Sequence, residues 1–205
     1  MRLRHTGIRL DYNNKVPEER ILREAPGGSL VTVDTIGDGD ASGNMLIHGD
    51  NLQTLRVLRE SMSGAVALVY IDPPFATEQV FTSGKKRSAT VSRSRRDAEA
   101  YPDLLSGTLF VEFLRQRLIL VRELLSPRGS VYVHIGPAMQ HYVKIVMDEI
   151  FGAHRFVCDI CRVKCHPKNF NRRAYGNIKD SVLFYTKGED YLWNDSREPF
   201  TEADL

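Results

Sequence analysis

The stretch Asp72-Pro73-Pro74-Phe75 combines residue types that could do chemistry. It follows the apolar run Leu68-Val69-Tyr70-Ile71, which predicts a strand buried on both faces. Proline cannot donate to a sheet ladder and holds the preceding residue extended, so the strand must end at Ile71 and a rigid turn must begin at Asp72. Open α/β sheets place their ligands at the carboxyl ends of strands. The turn would therefore present a carboxylate to a ligand, with an aromatic ring three residues further on.

The elements around this turn alternate between strands and helices. Apolar residues recur at helical spacing in 51–62 and 107–125, and Pro137 starts a third predicted helix with Tyr142, Val146 and Ile150 on its inner face. Other segments predict strands, namely 29–36, 45–48, 130–135, 156–163 and 181–186. This alternation indicates an α/β fold with a doubly wound, mostly parallel sheet and helices on both faces.

The turn gains significance from other stretches of the chain, because Asp-Pro-Pro alone also occurs as a plain turn. These stretches follow in a fixed order, at 46–52, 113–118, 124–135, 147–152 and 180–187. Together with the turn they resemble the amino-terminal half of a β-class amino-group DNA methyltransferase, and most closely the modification subunits of type III restriction systems. The catalytic motif of that family is Asp/Asn/Ser-Pro-Pro-Tyr/Phe/Trp. The resemblance covers about residues 44–190 and implies a Rossmann-like methyltransferase fold.

The resemblance implies methyl transfer from S-adenosylmethionine to an exocyclic amine of DNA, with Asp72, Pro73, Pro74 and Phe75 as catalytic residues. The lone pair of such an amine is delocalised into the base, so acceptors aimed at its two hydrogens favour attack. By the resemblance, these acceptors are the Asp72 carboxylate and the Pro73 carbonyl. The base must be flipped out of double-stranded DNA, and Phe75 would stack on it. Aspartate at the first motif position favours adenine N6 over cytosine N4 within the family.

Asp50 precedes the predicted helix 51–62, and two roles are open for it. Aspartate is a preferred helix N-cap, so the carboxylate could simply begin the helix. The resemblance instead implies a strand-end acid at the cofactor site. Both roles can hold together, and Asp50 is the predicted cofactor-binding residue.

Two basic segments are candidates for DNA contacts. The net charge is only +2, but Lys and Arg are concentrated in 85–96 and 162–173, and the second segment has no Asp or Glu. The predicted phosphate-binding residues are Lys85, Lys86, Arg87, Arg93, Arg95, Arg96, Lys168, Arg172 and Arg173. The first six fall in a stretch predicted to be a long basic loop, 76–104. Such a loop either clamps DNA or is only solvated.

The three cysteines, Cys158, Cys161 and Cys165, could form a zinc site with His166. However, alternation along the predicted strand 156–163 sends Cys158 and Cys161 to opposite faces. The sequence has no second paired Cys/His cluster. We therefore predict no metal, and no disulfide in a chain with cytoplasmic character.

One feature expected from the resemblance is missing. β-class enzymes carry a Gly-rich cofactor motif, Phe-x-Gly-x-Gly, after the catalytic half, and this sequence contains no such pattern. Lys179-Asp180 also departs from the expected His-Asp, which leaves the role of that position open. We therefore expect an incomplete fold whose activity needs a C-terminal half or a protein partner carrying the motif. The alternative is a non-catalytic DNA-binding or assembly subunit that keeps the half-fold.

Length and composition bound the domain organisation. The 205 residues, 42% hydrophobic and 26% charged, suffice for one sizeable core. We expect an N-terminal arm over 1–28 with a short helix near Glu18 to Glu24, and a partial methyltransferase domain over 29–205. No apolar run is long enough to span a membrane, and no apolar leader follows the basic start. The predicted location is the cytoplasm, in a restriction-modification system.

Overall fold

The computed structural model describes residues 7–35, 43–73, 80–84, 87–90, 98–102, 107–164 and 178–195, and only the backbone in the three ranges between 80 and 102. The α-helices in this part of the chain are α1 (Glu18–Arg23), α2 (Asn51–Met62), α3 (Gly107–Leu124) and α4 (Gln140–Phe151). The strands are β1 (Val66–Ile71), β2 (Val80–Gly84), β3 (Arg87–Thr90), β4 (Ala98–Pro102), β5 (Leu125–Ile135), β6 (Phe156–Val163) and β7 (Lys179–Thr186). This order of elements confirms the α/β fold class.

The main sheet contains four strands in the order β1, β5, β7, β6. β1 and β5 are parallel, with Ile71 opposite Val133, so their carboxyl ends meet at one edge. β7 is antiparallel to both of its neighbours, β5 and β6. The sheet is therefore mixed rather than mostly parallel. The cause is the return of the chain from the edge strand β6 into the position between β6 and β5.

The described helices form one layer centred on α3. The inner face of α3 is buried as predicted, and α1, α2 and α4 all contact this helix. Alternate residues of the strands point toward the helices and pack in the core, including Val69, Ile71, Val131, Val133, Ile135, Leu183 and Tyr185. On α4 the buried stripe is centred on Val143 and Met147, so Tyr142 is exposed, contrary to prediction. No helix within the described ranges is long and apolar enough to cross a membrane.

The second face of the sheet is open along β1. Leu68 and Tyr70 point away from the helix layer and are 58% and 57% exposed. The predicted burial of β1 on both faces is therefore wrong, because the described helices cover only the other face. The same open face carries a stack of Tyr132 and Phe184, with ring centroids 4.3 Å apart. A doubly wound sheet has helices on both faces. In the described part of the chain, helices cover one face only.

The N-terminal arm packs on the helix layer. α1 forms where predicted, and Ile21 is fully buried. The Tyr12 hydroxyl donates to Glu112 of α3 at 2.5 Å, and the Lys15 ammonium lies 2.7 Å from Glu149 of α4. Burial raises the pKa of Tyr12, and the hydrogen bond to Glu112 raises it further. The arm is therefore anchored to α3 and α4 by partly buried polar contacts.

Two predicted strands near the N-terminus do not form. Residues 29–35 and 43–48 have no regular secondary structure, and Val33 and Leu46 are 94% and 100% exposed. β-Branched composition favours a strand only where the side chains can pack against neighbours. Most side chains of these segments are exposed, so little such packing is available to them among the described residues.

A second sheet lies within the segment predicted to be a long basic loop, 76–104. β2 pairs with β3 on one side and β4 on the other, both antiparallel. Val80, Phe81, Thr82, Thr90 and Tyr101 are residue types enriched in strands, and they lie in these three strands. The loop prediction is therefore corrected for β2, β3 and β4.

Candidate active site

Asp72 lies directly after β1, where the two prolines end the strand as predicted. Its side chain is 58% exposed, so it can contact a ligand. Pro73, next to it, is buried and fixes the start of the turn. Pro74 and Phe75 lie outside the described residues. The catalytic assignments of Asp72, Pro73, Pro74 and Phe75 therefore remain predictions, with Asp72 at the expected edge of the sheet.

His134 contacts Asp72 and was missed by the sequence analysis. Its Nδ1 atom lies 3.2 Å from the Asp72 Oδ1 atom. The contact follows from the parallel register, because Ile71 pairs with Val133 and the next residues on the two strands are Asp72 and His134. A histidine near the carboxyl end of the mostly apolar run 131–135, next to the end of β1, is a signal that could have identified it.

Asp180, on β7, lies on the other side of His134. The Asp180 Oδ2 atom is 3.5 Å from the His134 Nε2 atom, and the Asp180 side chain is only 2% exposed. Two cations from the β6 side neutralise it: the Lys164 Nζ atom at 2.6 Å from Oδ1 and the Arg162 Nη1 atom at 3.4 Å from Oδ2. A buried carboxylate needs such partners to offset its desolvation. The position whose role was left open thus holds a buried, paired acid.

Strand register brings these residues together. His134 pairs with Val182 across β5 and β7, so Asp180 is its diagonal neighbour on the same face. Arg162 pairs directly with Asp180 across β6 and β7. The resulting row runs along one edge of the sheet from Asp72 through His134 and Asp180 to the two cations. Its middle members, His134 and Asp180, are buried, whereas the Asp72 carboxylate and the two cations at its ends reach solvent.

Asp50 is the N-cap of α2, as one of its two predicted roles requires. Its side chain accepts a hydrogen bond from the backbone N–H of Gln53 at 3.0 Å. The Arg117 Nη2 atom lies 3.9 Å from the other carboxylate oxygen, and the guanidinium stacks on Phe113 at 3.5 Å from the ring centroid. Burial lowers the pKa of Arg117 to about 10, although Asp50 partly opposes this effect. The carboxylate is 60% exposed, which leaves the cofactor role possible.

The predicted DNA contacts are mostly outside the described residues. This applies to Lys85, Lys86, Arg93, Arg95, Arg96, Lys168, Arg172 and Arg173. Arg87 begins β3, where only the backbone is described. All nine assignments therefore stay predictions.

Cys158 and Cys161 lie on opposite faces of β6, as predicted. Cys158 pairs with Phe184 of the open face, whereas Cys161 pairs with Ser181 on the helix side. Both are exposed and free. Cys165 and His166 lie outside the described residues.

Comparisons with known proteins identify the family of this chain. A family model described as DNA methylase (N6_N4_Mtase) matches residues 66–204, more than half of the chain. The chain is 41% identical over 192 residues to "Type II methyltransferase M.EcaI" from Enterobacter cloacae, covering 91% of this chain and 39% of that protein. It is 30% identical over 160 residues to the "Probable type III restriction-modification enzyme HindVI Mod subunit" from Haemophilus influenzae, covering 76% and 19%.

The chain spans well under half the length of these curated relatives. Among solved structures, it is similar to PvuII DNA methyltransferase (cytosine-N4-specific), with 18% identity, a TM-score of 0.46, and coverage of 67% of this chain and 48% of that one. The family model includes Asp72, His134 and Asp180 within its matched range. The chain therefore belongs to the DNA methylase family of N6- and N4-methyltransferases.

Proposed function

We propose that this chain supplies the catalytic half of an S-adenosylmethionine-dependent methyltransferase that modifies adenine N6 in double-stranded DNA. The observation that carries the proposal is the half-exposed Asp72 carboxylate, presented by a proline-terminated strand and contacted by His134. Its support comes from the family match across residues 66–204. Because the substrate is DNA, we place the protein in the cytoplasm, within a restriction-modification system.

The chemistry requires acceptors for the hydrogens of an aromatic amine. The Asp72 carboxylate can accept one hydrogen bond while the Pro73 carbonyl accepts the other, which localises the nitrogen lone pair for attack. Phe75 would stack on the flipped base and replace the stacking lost from the duplex. S-adenosylmethionine, when bound, supplies a methyl group activated by a sulfonium. The chain's residues orient the amine and limit access of water.

The described residues fit part of a binding site for that cofactor. The cofactor carries an ammonium group and ribose hydroxyls, and both suit carboxylate acceptors. Asp50 presents such a carboxylate, which is 60% exposed. The enclosing surface is absent within the described ranges, because β1 is open on one face and pairs only with β5 there.

We therefore propose that a further segment, carrying the Gly-rich cofactor motif, adds to the free side of β1. Leu68 and Tyr70 on the open face and Val33 and Leu46 in the irregular N-terminal segments are exposed apolar residues that this segment would cover. An unpaired strand edge is also a template for another strand. The segment would be either a C-terminal half of the same polypeptide or a partner protein. Until it is bound, cofactor affinity should be very weak.

The basic segments complete the proposal. We assign two sets of residues to contacts with DNA phosphates. The first set precedes or follows β3 in the sequence or begins it, namely Lys85, Lys86, Arg87, Arg93, Arg95 and Arg96. The second set lies in the sequence that connects β6 to β7, namely Lys168, Arg172 and Arg173. Phosphate contacts position the duplex, and base contacts made elsewhere select the sequence.

Product analysis tests the proposed function. The chain, combined with a polypeptide that carries the Gly-rich motif, is incubated with labelled S-adenosylmethionine and duplex DNA, and the DNA is hydrolysed to nucleosides. The expected product is N6-methyladenine, and the chain alone should give none. N4-methylcytosine would correct the target base, and DNA binding without either product would support the non-catalytic alternative.

A further inference from the structure

The two carboxylates on either side of His134, Asp72 and Asp180, differ in their exposure to solvent. One carboxylate is exposed and the other is 2% exposed, with the imidazole between them. The His134 side chain is 9% exposed, so protein contacts and not water set the orientation of its ring. Asp180, the buried carboxylate, can therefore fix the orientation of the ring, and the ring can in turn orient Asp72, the exposed carboxylate.

Asp180 is suited to fix the ring. Its own position is set by the Lys164 ammonium at 2.6 Å and the Arg162 guanidinium at 3.4 Å, and by the β7 backbone between two strands. A carboxylate near one imidazole nitrogen orients the ring, as in other acid–histidine pairs in enzymes. A ring that carries a proton on both nitrogens can donate to Asp180 and to Asp72 at the same time. Buried ion pairs add little net stability on average, so this set is better explained by what it orients.

Asp72, the exposed carboxylate, lacks such fixed surroundings and requires a donor to orient it. A carboxylate at a strand end, 58% exposed, can rotate between several orientations unless a donor holds one oxygen. The Nδ1 atom of His134 lies 3.2 Å from Oδ1 of Asp72 and can provide that donor. The second oxygen, Oδ2, then remains available for the amine. A misplacement of a reacting group by about 1 Å can cost roughly a hundredfold in rate.

We propose that His134 is a positioning residue for the methyl transfer: it holds Oδ1 of Asp72 so that Oδ2 faces the amine, and Asp180 holds the imidazole for this purpose. The inference rests on the proposed function. It assigns His134 no contact with the substrate. Among the described charged groups, Asp72 after β1 and Asp180 on β7 face the imidazole, and Arg162 and Lys164 lie beyond Asp180 on the β6 side.

The test compares three histidine variants of the chain combined with the motif-carrying polypeptide. His134→Ala should lower kcat by about 10- to 100-fold and leave the KM values for DNA and cofactor within about twofold, since only orientation is lost. His134→Gln keeps an amide donor and should recover most of the lost kcat. His141→Ala, at an exposed histidine of α4, is the matched control and should change nothing.

Asp180 provides the second arm. Asp180→Asn should lower kcat in the same direction, and the double variant with His134→Ala should be no slower than His134→Ala alone, because Asp180 acts through the ring. In the 205-residue chain by itself, the side-chain NMR signals of His134 should shift in both Asp72→Asn and Asp180→Asn, while those of His141 stay in place. This readout needs neither cofactor nor activity.

The outcomes separate the inference from the proposed function. If the wild-type chain combined with the motif-carrying polypeptide methylates DNA and the His134→Ala variant is equally fast, the positioning role is refuted and the proposed function stands. A rise in KM alone, or a glutamine variant that is folded and as slow as the alanine variant, also refutes it. If the wild-type pair gives no methylated base, the proposed function fails, and the positioning role fails with it whatever the NMR signals show.

Discussion

The open face of β1 allows a quantitative prediction. Replacing Leu68 and Tyr70 together by Thr keeps strand-favouring residues but removes most of the exposed apolar surface of the strand. In the isolated chain only the buried part of each side chain, less than half, contributes, so the free energy of unfolding should fall by about 2 kcal/mol. Pairing with the motif-carrying segment should weaken by more than this, because that segment is expected to bury the larger, exposed fraction.

The size of the effect follows from the exposed area. An aromatic side chain buries about 150–250 Å², so the 57% exposed at Tyr70 corresponds to roughly 85–140 Å² and about 2–3.5 kcal/mol at roughly 25 cal/mol per Å². Burial of a whole leucine contributes about 1.5–3 kcal/mol, and 58% of it is exposed at Leu68. Allowing for the methyl groups that threonine retains, we expect a loss of about 3 kcal/mol, or roughly a hundredfold in Kd.

Calorimetry of the two polypeptides measures this Kd, and sedimentation velocity measures self-association of the isolated chain, which the double variant should reduce. Tyr142→Gln is the control, because Tyr142 is a comparably exposed aromatic residue on the outer side of α4. Chemical denaturation checks that each variant is folded. An unchanged Kd for the double variant, or an equal loss for Tyr142→Gln, would show that the open face of β1 is not the pairing surface.

Three further predictions concern the core, the DNA contacts and the arm. Leu118→Ala, at a fully buried position of α3, should lower the free energy of unfolding by about 2–5 kcal/mol in denaturant titrations, whereas Leu109→Ala at an exposed position should not. Replacing Lys85, Lys86 and Arg87 by Ala should weaken binding equally on all DNA sequences and reduce the log-log salt slope by roughly 0.9 per lost contact, and an unchanged slope would refute phosphate binding. Because the pKa of Tyr12 is raised in the fold, the folded chain retains a proton that the unfolded chain loses above pH 10, so stability should fall with rising pH there, and less so in Tyr12→Phe. An identical alkaline pH profile for that variant would contradict the arm contact.

Part of the fold and site was predictable because local rules were sufficient. Two consecutive prolines cannot sit inside a strand, so the end of β1 and the place of Asp72 followed from sequence alone. The inner face of α3 was also predictable, since a long apolar stripe at helical spacing has few alternatives. Asp50 capped α2 because its residue type and position match an N-cap.

Other features depend on packing that local patterns do not specify. The contact of His134 with Asp180 requires that β7 insert between β5 and β6, and nothing within either strand encodes that order. Hydrophobicity predicted that Leu68 and Tyr70 would be buried but could not show which part of the chain covers them. A charged residue such as Arg56 gives no local signal of burial, yet it is buried in an ion pair with Glu24, which directly follows α1.

The most direct measurement of the central claim is methyl transfer by Asp72→Ala in the chain combined with the motif-carrying polypeptide. Alanine leaves no side-chain acceptor for the amine at the end of β1, so kcat should fall by about 10²- to 10³-fold with DNA affinity and folding unchanged. Asp190→Ala, at a surface carboxylate paired only with Arg128 in the described residues, serves as control and should keep full activity. Retention of more than about a tenth of the wild-type rate by Asp72→Ala would contradict the assignment of Asp72 as the acceptor for the amine.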